Sequence, residues 1–315
     1  MKNMIRIGTR GSALALWQAH HVAGLLHKGG WPTEIITIET RGDKILDRSL
    51  SKIGSKGVFT AELEDALHNA SIDIAVHSAK DLPSELPEGL EIIAFTQRER
   101  ANDVLVSFRR DIAVGDGQPW VIGTSSTRRV AMVRHYYPHL KTTDMRGNLQ
   151  TRMRKLQEGE CDALLLAYAG VHRMQYDEHI VAHLPTNQFT PAVGQGSVAI
   201  EAAAHLEESK REGVRTLVNH LDTEVCLRAE RAFLHRLQGG CSIPSFGLAS
   251  LDVSKDTISL HAGLISLDGT QLISQTLQSA SARGEEAGYQ LAGQILAAGG
   301  AAILRDIRQQ QAVAR

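Results

Sequence analysis

The stretch Val121-Ile122-Gly123-Thr124-Ser125-Ser126 decides how this 315-residue sequence is read, because it repeats a pattern already seen in Arg6-Ile7-Gly8-Thr9-Arg10-Gly11-Ser12. In both, a strand-like apolar run ends in glycine and passes through small hydroxyl residues into a helical segment. In the first copy the helix covers residues 12–26, with Leu14, Trp17, Val22, Leu25 and Leu26 at helical spacing and Gly29-Gly30 closing it. Two further stations follow in the same order. Thr143-Asp144-Met145-Arg146-Gly147-Asn148 echoes Glu39-Thr40-Arg41-Gly42-Asp43, and residues 161–167 echo 71–77 as a strand opening near an aspartate. An ordered set of matches implies two related α/β lobes.

Around these stations the pattern predicts strands at 4–7, 34–39 and 72–76 and a helix at 60–69, an alternation that gives a mostly parallel sheet. The charged run 97–103 separates the copies. Pro191-Ala192-Val193-Gly194-Gln195-Gly196-Ser197 reads as a crossing back, after which the first lobe reclaims a strand at 198–202. A helix at 223–237, strands at 247–253, 257–265 and 271–279, and a helix at 285–298 make a small α+β tail. The expected domains are 1–97 with 197–215, then 98–196, then 216–315.

Apolar residues at 43% and charged residues at 22% fit a globular protein and exclude extensive disorder. A formal net charge of -1 supplies no global field for nucleic acid or a membrane surface, so any cationic site is local. Cys161, Cys226 and Cys241 are too few and too widely spaced for a disulfide framework or a zinc site, which fits a reducing compartment. His20 and His21 are adjacent on a helix and face different directions, and no H-E-x-x-H occurs, so no metal is expected. No signal-peptide core or membrane-length apolar run is present, and the expected location is the cytoplasm.

Both lobes set hydroxyls and arginines where a strand hands over to a helix: Arg10 and Ser12 in one, Ser125, Ser126, Arg128 and Arg129 in the other. Helix starts attract anions, and arginine grips carboxylates with two parallel hydrogen bonds. Lys52, Lys56 and Lys80, with Arg146, Arg152 and Arg173, can join the same cleft, although each taken singly also reads as an ordinary surface charge or cap. No phosphate-loop pattern follows a strand. In His77-Ser78-Ala79-Lys80-Asp81-Leu82-Pro83, Asp81 falls past the carboxyl end of a buried strand, where ligands collect in open α/β sheets. Two readings fit it, a catalytic carboxylate or a turn cap, while His77 reads as structural. Cys241, between Gly239-Gly240 and Ser242-Ile243-Pro244, is either an inert exposed thiol or a reactive one.

Taken together, Thr9-Arg10-Gly11-Ser12 with Leu16-Trp17-Gln18-Ala19, Lys56-Gly57-Val58-Phe59, the Asp81 stretch, Gly123-Thr124-Ser125-Ser126-Thr127-Arg128-Arg129, Arg146-Gly147-Asn148, the 191–196 stretch and Gly239-Gly240-Cys241 resemble the porphobilinogen deaminase (hydroxymethylbilane synthase) family. The match is co-linear over almost the whole chain. It implies two lobes like those of type II periplasmic binding proteins plus a small C-terminal α+β domain, and a dipyrromethane cofactor joined by a thioether to Cys241. The implied reaction adds four porphobilinogen units head to tail, loses ammonia at each step and releases hydroxymethylbilane by hydrolysis, making the protein a transferase of haem biosynthesis. Asp81 is the implied proton-handling carboxylate, stabilising the electron-poor azafulvene.

For the cofactor, the resemblance implies Lys80, Ser78, Ser126, Arg128, Arg129 and Arg146. For the substrate it implies Arg10, Ser12, Lys52, Lys56, Phe59, Arg146, Arg152, Arg173 and Gln195, with 41–59 as a mobile loop and the protein a monomer. Gly11, Ser49, Ser55, His172 and Ser242 depart from the family's usual residues, which bears on loop behaviour and affinity rather than on the reaction. The competing readings are a two-lobed carboxylate-binding protein without catalysis and an anion-responsive regulator.

Overall fold

A computed structural model describes residues 3–44, 59–239 and 243–313. Strand β1 (Ile5–Thr9) pairs in parallel with β2 (Thr33–Thr37) on one side and β3 (Ile74–Ser78) on the other, so Ile5 and Ile7 are fully buried. The chain then turns into the helix Ala13–Lys28, which Ser12 caps by accepting the Ala15 N–H at 3.3 Å. Its inner face (Ala15, Ala19, Val22, Ala23, Leu26) follows the 3.6-residue period and closes one side of the sheet with Trp31, Ile74 and Ile200. The helix Ala61–His68 covers the other side through Leu63 and Leu67.

The second lobe repeats this construction. Strand β6 (Val121–Gly123) pairs in parallel with β7 (Lys141–Thr143) and β8 (Ala163–Ala167), and Ser126 caps the helix Thr127–Tyr136. The repeat extends to single contacts. Asp73 Oδ2 accepts the Arg6 N–H at 2.7 Å just before β3, and Asp162 Oδ2 accepts the Val121 N–H at 2.8 Å just before β8. Gly8 and Gly123 stand at the same station, and a Cβ on either would come within 2.3 Å of Ile72 Cδ1 or 2.8 Å of Cys161 Sγ. A side chain there would have to displace the core side chains that pack against the strand.

The two sheets have matching orders, β2-β1-β3-β10-β4 and β7-β6-β8-β5-β9, where β4 is Leu90–Phe95, β5 Asp103–Val106, β9 Ile180–His183 and β10 Val198–Ala203. In each, the fourth strand runs antiparallel to the third and directly follows a crossing of the chain from the other lobe. The return of β10 to the first sheet follows the sequence expectation, whereas β4, β5 and β9 had not been anticipated. β5 is a four-residue apolar run inside a stretch whose charges suggested a boundary, and β9 is a short edge strand. The architecture is therefore two α/β lobes of matching strand order with a small C-terminal α+β domain.

That last domain is an antiparallel sheet of β11 (Ser245–Leu251), β12 (Thr257–Ile265) and β13 (Leu272–Ala280). The helices Leu221–Arg236, Gly284–Ile295 and Ala301–Val313 pack on it through Phe233, Leu291, Ile295, Ile303 and Ile307. The helix Glu208–Val218 and the final helix were not expected from the sequence. Leu296–Gly300 is a π-type turn in which Gly299 takes φ 113°, and it joins the last two helices where a single shorter helix had been expected.

Candidate active site

Strand β3 delivers the candidate carboxylate. It ends at Ser78, whose Oγ accepts from Gln18 Nε2 at 2.8 Å, and Ala79–Asp81 follows as one 3-10 turn. The Ala79 N–H donates to the Ser197 carbonyl at 3.0 Å, and beyond Leu82 the Pro83 carbonyl accepts from Arg231 at 2.9 Å. With both ends tied, Lys80 and Asp81 line a cavity of about 1210 Å³. Burial pushes the Lys80 ammonium down to about 8, against an opposing pull from the Asp81 charge.

The opposite wall comes from the second lobe. Asn148 caps the helix Leu149–Gln157 by accepting the Thr151 N–H at 2.9 Å, which sets the preceding Arg146 and the first-turn Arg152 toward the same cavity. Arg152 donates from Nε to the Gly147 carbonyl at 2.8 Å; burial, then Arg129 and Arg146, push its guanidinium down to about 10. Arg146 keeps a buried Nη1 without a hydrogen-bond partner among the described residues, a donor that an incoming acceptor would satisfy. The third wall belongs to the C-terminal domain: His235, Tyr289, Gly239 and Ile243. Cys241 lies outside the described residues, but Gly239 and Ile243 on either side of it both border the cavity.

Arg128 and Arg129 line the cavity too, yet their guanidiniums turn inward onto Asp103, a residue the sequence reading passed over. Asp103 is fully buried and accepts from Arg128 Nη2 at 2.7 Å, Arg129 Nη2 at 2.7 Å and Gln195 Nε2 at 2.9 Å. Despite the cost of burial, the two guanidiniums hold its carboxyl far below the usual carboxylate range. Arg128 also donates to the Thr190 carbonyl and Arg129 to the Leu165 carbonyl. Much of their hydrogen-bonding capacity is thus spent inside the protein, as is that of Gln195, which is 1% exposed and donates further to the Ala101 carbonyl.

Of the remaining expected residues, Ser12 and Ser126 have their hydroxyls engaged as helix caps. Arg10 sits over the Phe59 ring at 4.3 Å. Arg173 donates to the Gly196 carbonyl at 2.7 Å and lies over the Trp17 ring at 5.2 Å, a bridge between the lobes that does not border the main cavity. His77 is buried with its Nε2 3.0 Å from Glu201. Lys52, Lys56, Ser49, Ser55, Ser242 and most of the loop 41–59 lie outside the described residues. Burial pushes the thiols of Cys161 and Cys226 up to about 11, which leaves both unreactive. Sequence reasoning also missed Glu230, fully buried and bonded to Arg98; its only local signal was a charge on the apolar side of a helix.

A cavity of this volume, cationic on two sides and holding an unsatisfied buried arginine donor, fits a multi-carboxylate pyrrole cofactor. Residues 5–211 match the family model described as porphobilinogen deaminase, dipyromethane cofactor binding domain, and residues 224–297 match the C-terminal domain of the same family. The chain belongs to the porphobilinogen deaminase family. The porphobilinogen deaminase of Desulfosudis oleivorans is 52% identical over 308 residues, covering 98% of this chain and 99% of that protein. That of Cytophaga hutchinsonii is 53% identical over 310 residues, covering 98% of each.

Among solved structures, the periplasmic VFT2 domain of Bordetella pertussis BvgS aligns with 68% of this chain and 86% of its own, at TM-score 0.42 and 14% identity. As a member of the porphobilinogen deaminase family the protein is an enzyme of tetrapyrrole synthesis. It carries a dipyrromethane cofactor, uses porphobilinogen and makes hydroxymethylbilane. No described helix is long and apolar enough to cross a membrane.

Proposed function

We propose that this chain is a cytoplasmic, monomeric transferase without nucleic-acid partners, its domains spanning 1–97 with 197–215, 98–196 and 216–315, and that it works through Asp81. Four porphobilinogen molecules are joined head to tail, each with loss of ammonia, before hydrolysis frees the product. When bound, the dipyrromethane group, tethered by a thioether at Cys241, supplies the pyrrole terminus that each incoming unit extends. The supporting observation is the cavity itself: Lys80–Asp81 on one wall, Arg146 and Arg152 on another, and both neighbours of the Cys241 segment on the third.

Within that arrangement Asp81 handles the proton on the departing amine and offsets positive charge on the pyrrole that amine leaves. Lys80, Arg146 and Arg152 hold carboxylates of the bound pyrroles, with Ser78 and Ser126 at the strand ends beside them. Arg128, Arg129 and Gln195 brace that wall through Asp103. Arg10, Ser12 and Phe59 receive the substrate with Lys52 and Lys56, while Arg173 holds the lobes at the spacing the substrate needs. Tethering makes each addition effectively intramolecular.

Intact-mass measurement of the purified protein tests this reading. Wild type carries an adduct of two pyrrole units that is absent from Cys241→Ser, and Asp81→Ala retains its fold while losing about 10²- to 10⁴-fold in turnover. An active wild type without the adduct overturns the tether, and an Asp81→Ala protein with near-normal turnover moves the proton chemistry elsewhere.

A further inference from the structure

Residues 194–197 receive bonds from every part of the molecule. The Gly194 N–H donates to Glu230 Oε2 at 2.9 Å, and Glu230 Oε1 accepts the Ala249 N–H of the C-terminal sheet at 2.8 Å. The Arg98 guanidinium bonds both oxygens of Glu230, and its Nε donates to the Gln195 carbonyl at 2.9 Å. Gln195 reaches Asp103 of the second sheet, and the Gly196 carbonyl accepts from Arg173 of the second lobe. Glu230 is 0% exposed and its oxygens accept four donors, so its position is fixed by hydrogen bonds rather than by loose packing.

The other side of this strap rests on the candidate catalytic turn. Gly194 takes φ +76°, and a Cβ on it would stand 2.9 Å from the Ala79 carbonyl carbon and 3.0 Å from the Lys80 nitrogen. The contact is backbone against backbone, so no rotamer change relieves a displacement. Three residues on, the Ser197 carbonyl accepts the Ala79 N–H. The turn that carries Lys80 and Asp81 is therefore seated on the strap.

We propose that Gly194, held by the Glu230 carboxylate, is a positioning residue that seats the Lys80–Asp81 turn and so makes the aim of Asp81 depend on how the C-terminal domain is docked. This rests on the catalytic reading of Asp81. A shift of about 1 Å in such a group costs up to about 10²-fold in rate.

The test compares Gly194→Ala and Glu230→Gln with Gly213→Ala, each loaded with cofactor and assayed per adduct-bearing molecule. Gly213 lies in the helix Glu208–Val218, where a Cβ would meet the buried Trp31 ring at 2.6 Å, so its substitution destabilises without touching the strap or the C-terminal docking. The expected result is a kcat loss of about 10²-fold for Gly194→Ala, with KM within about twofold, whereas Gly213→Ala lowers Tm and keeps kcat. Glu230→Gln, which is isosteric and keeps one accepting oxygen, loses about tenfold in kcat and covers the case in which Gly194→Ala fails to load. Wild-type kcat in loaded Gly194→Ala or Glu230→Gln, or equal kcat losses in Gly194→Ala and Gly213→Ala, overturns the proposal. With Asp81→Ala inactive, that outcome strikes the strap alone; turnover in Asp81→Ala strikes the reading of Asp81 instead.

Discussion

In the first lobe, the turn after β3 carries Asp81, a carboxylate bordering an open cavity beside Lys80; in the second, β5 begins on Asp103, which is fully buried and clamped by Arg128 and Arg129. The lobes share sheet order, capped helices and the aspartate that precedes the third strand, yet they use their charges in opposite ways. The second lobe neutralises Asp103 internally and so braces the wall that presents Arg146 and Arg152. The first leaves Lys80 and Asp81 facing the space a ligand fills. Internal symmetry thus supplies a frame, and the placement of one counter-charge decides whether a strand end is scaffold or chemistry.

The largest effect should come from removing that counter-charge. Asp103→Asn leaves two buried guanidiniums without their partner and should cost about 3–5 kcal/mol in urea unfolding, whereas Asp81→Asn, at the cavity, should stay within about 1 kcal/mol. Equal costs would erase the distinction drawn between the lobes. The Asp103 carboxyl is held below its unfolded value. Its contribution to stability is therefore present at neutral pH and drains away as pH falls below about 4, where the unfolded chain starts to take up the proton. Acid-induced loss of Tm should accordingly be steeper in wild type than in Asp103→Asn.

An intermediate effect belongs to Lys80, whose ammonium is pushed down to about 8. Losing that charge weakens the attraction for carboxylates, so KM for porphobilinogen should rise by roughly tenfold as pH climbs through 8. Lys80→Arg should move that rise to higher pH, and an unchanged profile would remove Lys80 from anion binding. The stability linkage has its own sign. A lysine with a lowered folded value favours the folded state increasingly as pH rises from about 8 toward its unfolded value of about 10.4. The smallest effect should be shared: Ser12→Ala and Ser126→Ala each remove one helix cap and should cost about 1 kcal/mol apiece in thermal unfolding. A clear inequality would show that one cap does more than hold its helix.

The sequence made the strand-to-helix hand-overs visible because glycine, hydroxyl cap and helical period all act within one short window. Ser12 and Ser126 follow from local rules, and so does the turn that displays Asp81. The Asp103 clamp does not, since its partners are 25 and 26 positions away and nothing about an aspartate in a charged run marks it as buried. The same holds for Glu230, whose partners Gly194 and Arg98 meet it only once the C-terminal domain, which also supplies Ala249, has docked on the crossing segments. For Arg128 and Arg129 the sequence pointed to binding of a cofactor's carboxylates, and the carboxylate they meet in the structure is the internal Asp103.

The late return of β10 sets a schedule for synthesis. The first sheet contains β10, which occupies the place between β3 and β4, so its hydrogen-bonded surface stays incomplete until residue 203 has left the ribosome. By then the second sheet, whose five strands all lie within 103–183, is already made. The first lobe is begun first and finished last, because its pairing of β3 with β10 spans over a hundred residues. A truncated chain that ends before β10 would therefore expose the edges of β3 and β4 to other chains and should aggregate rather than fold.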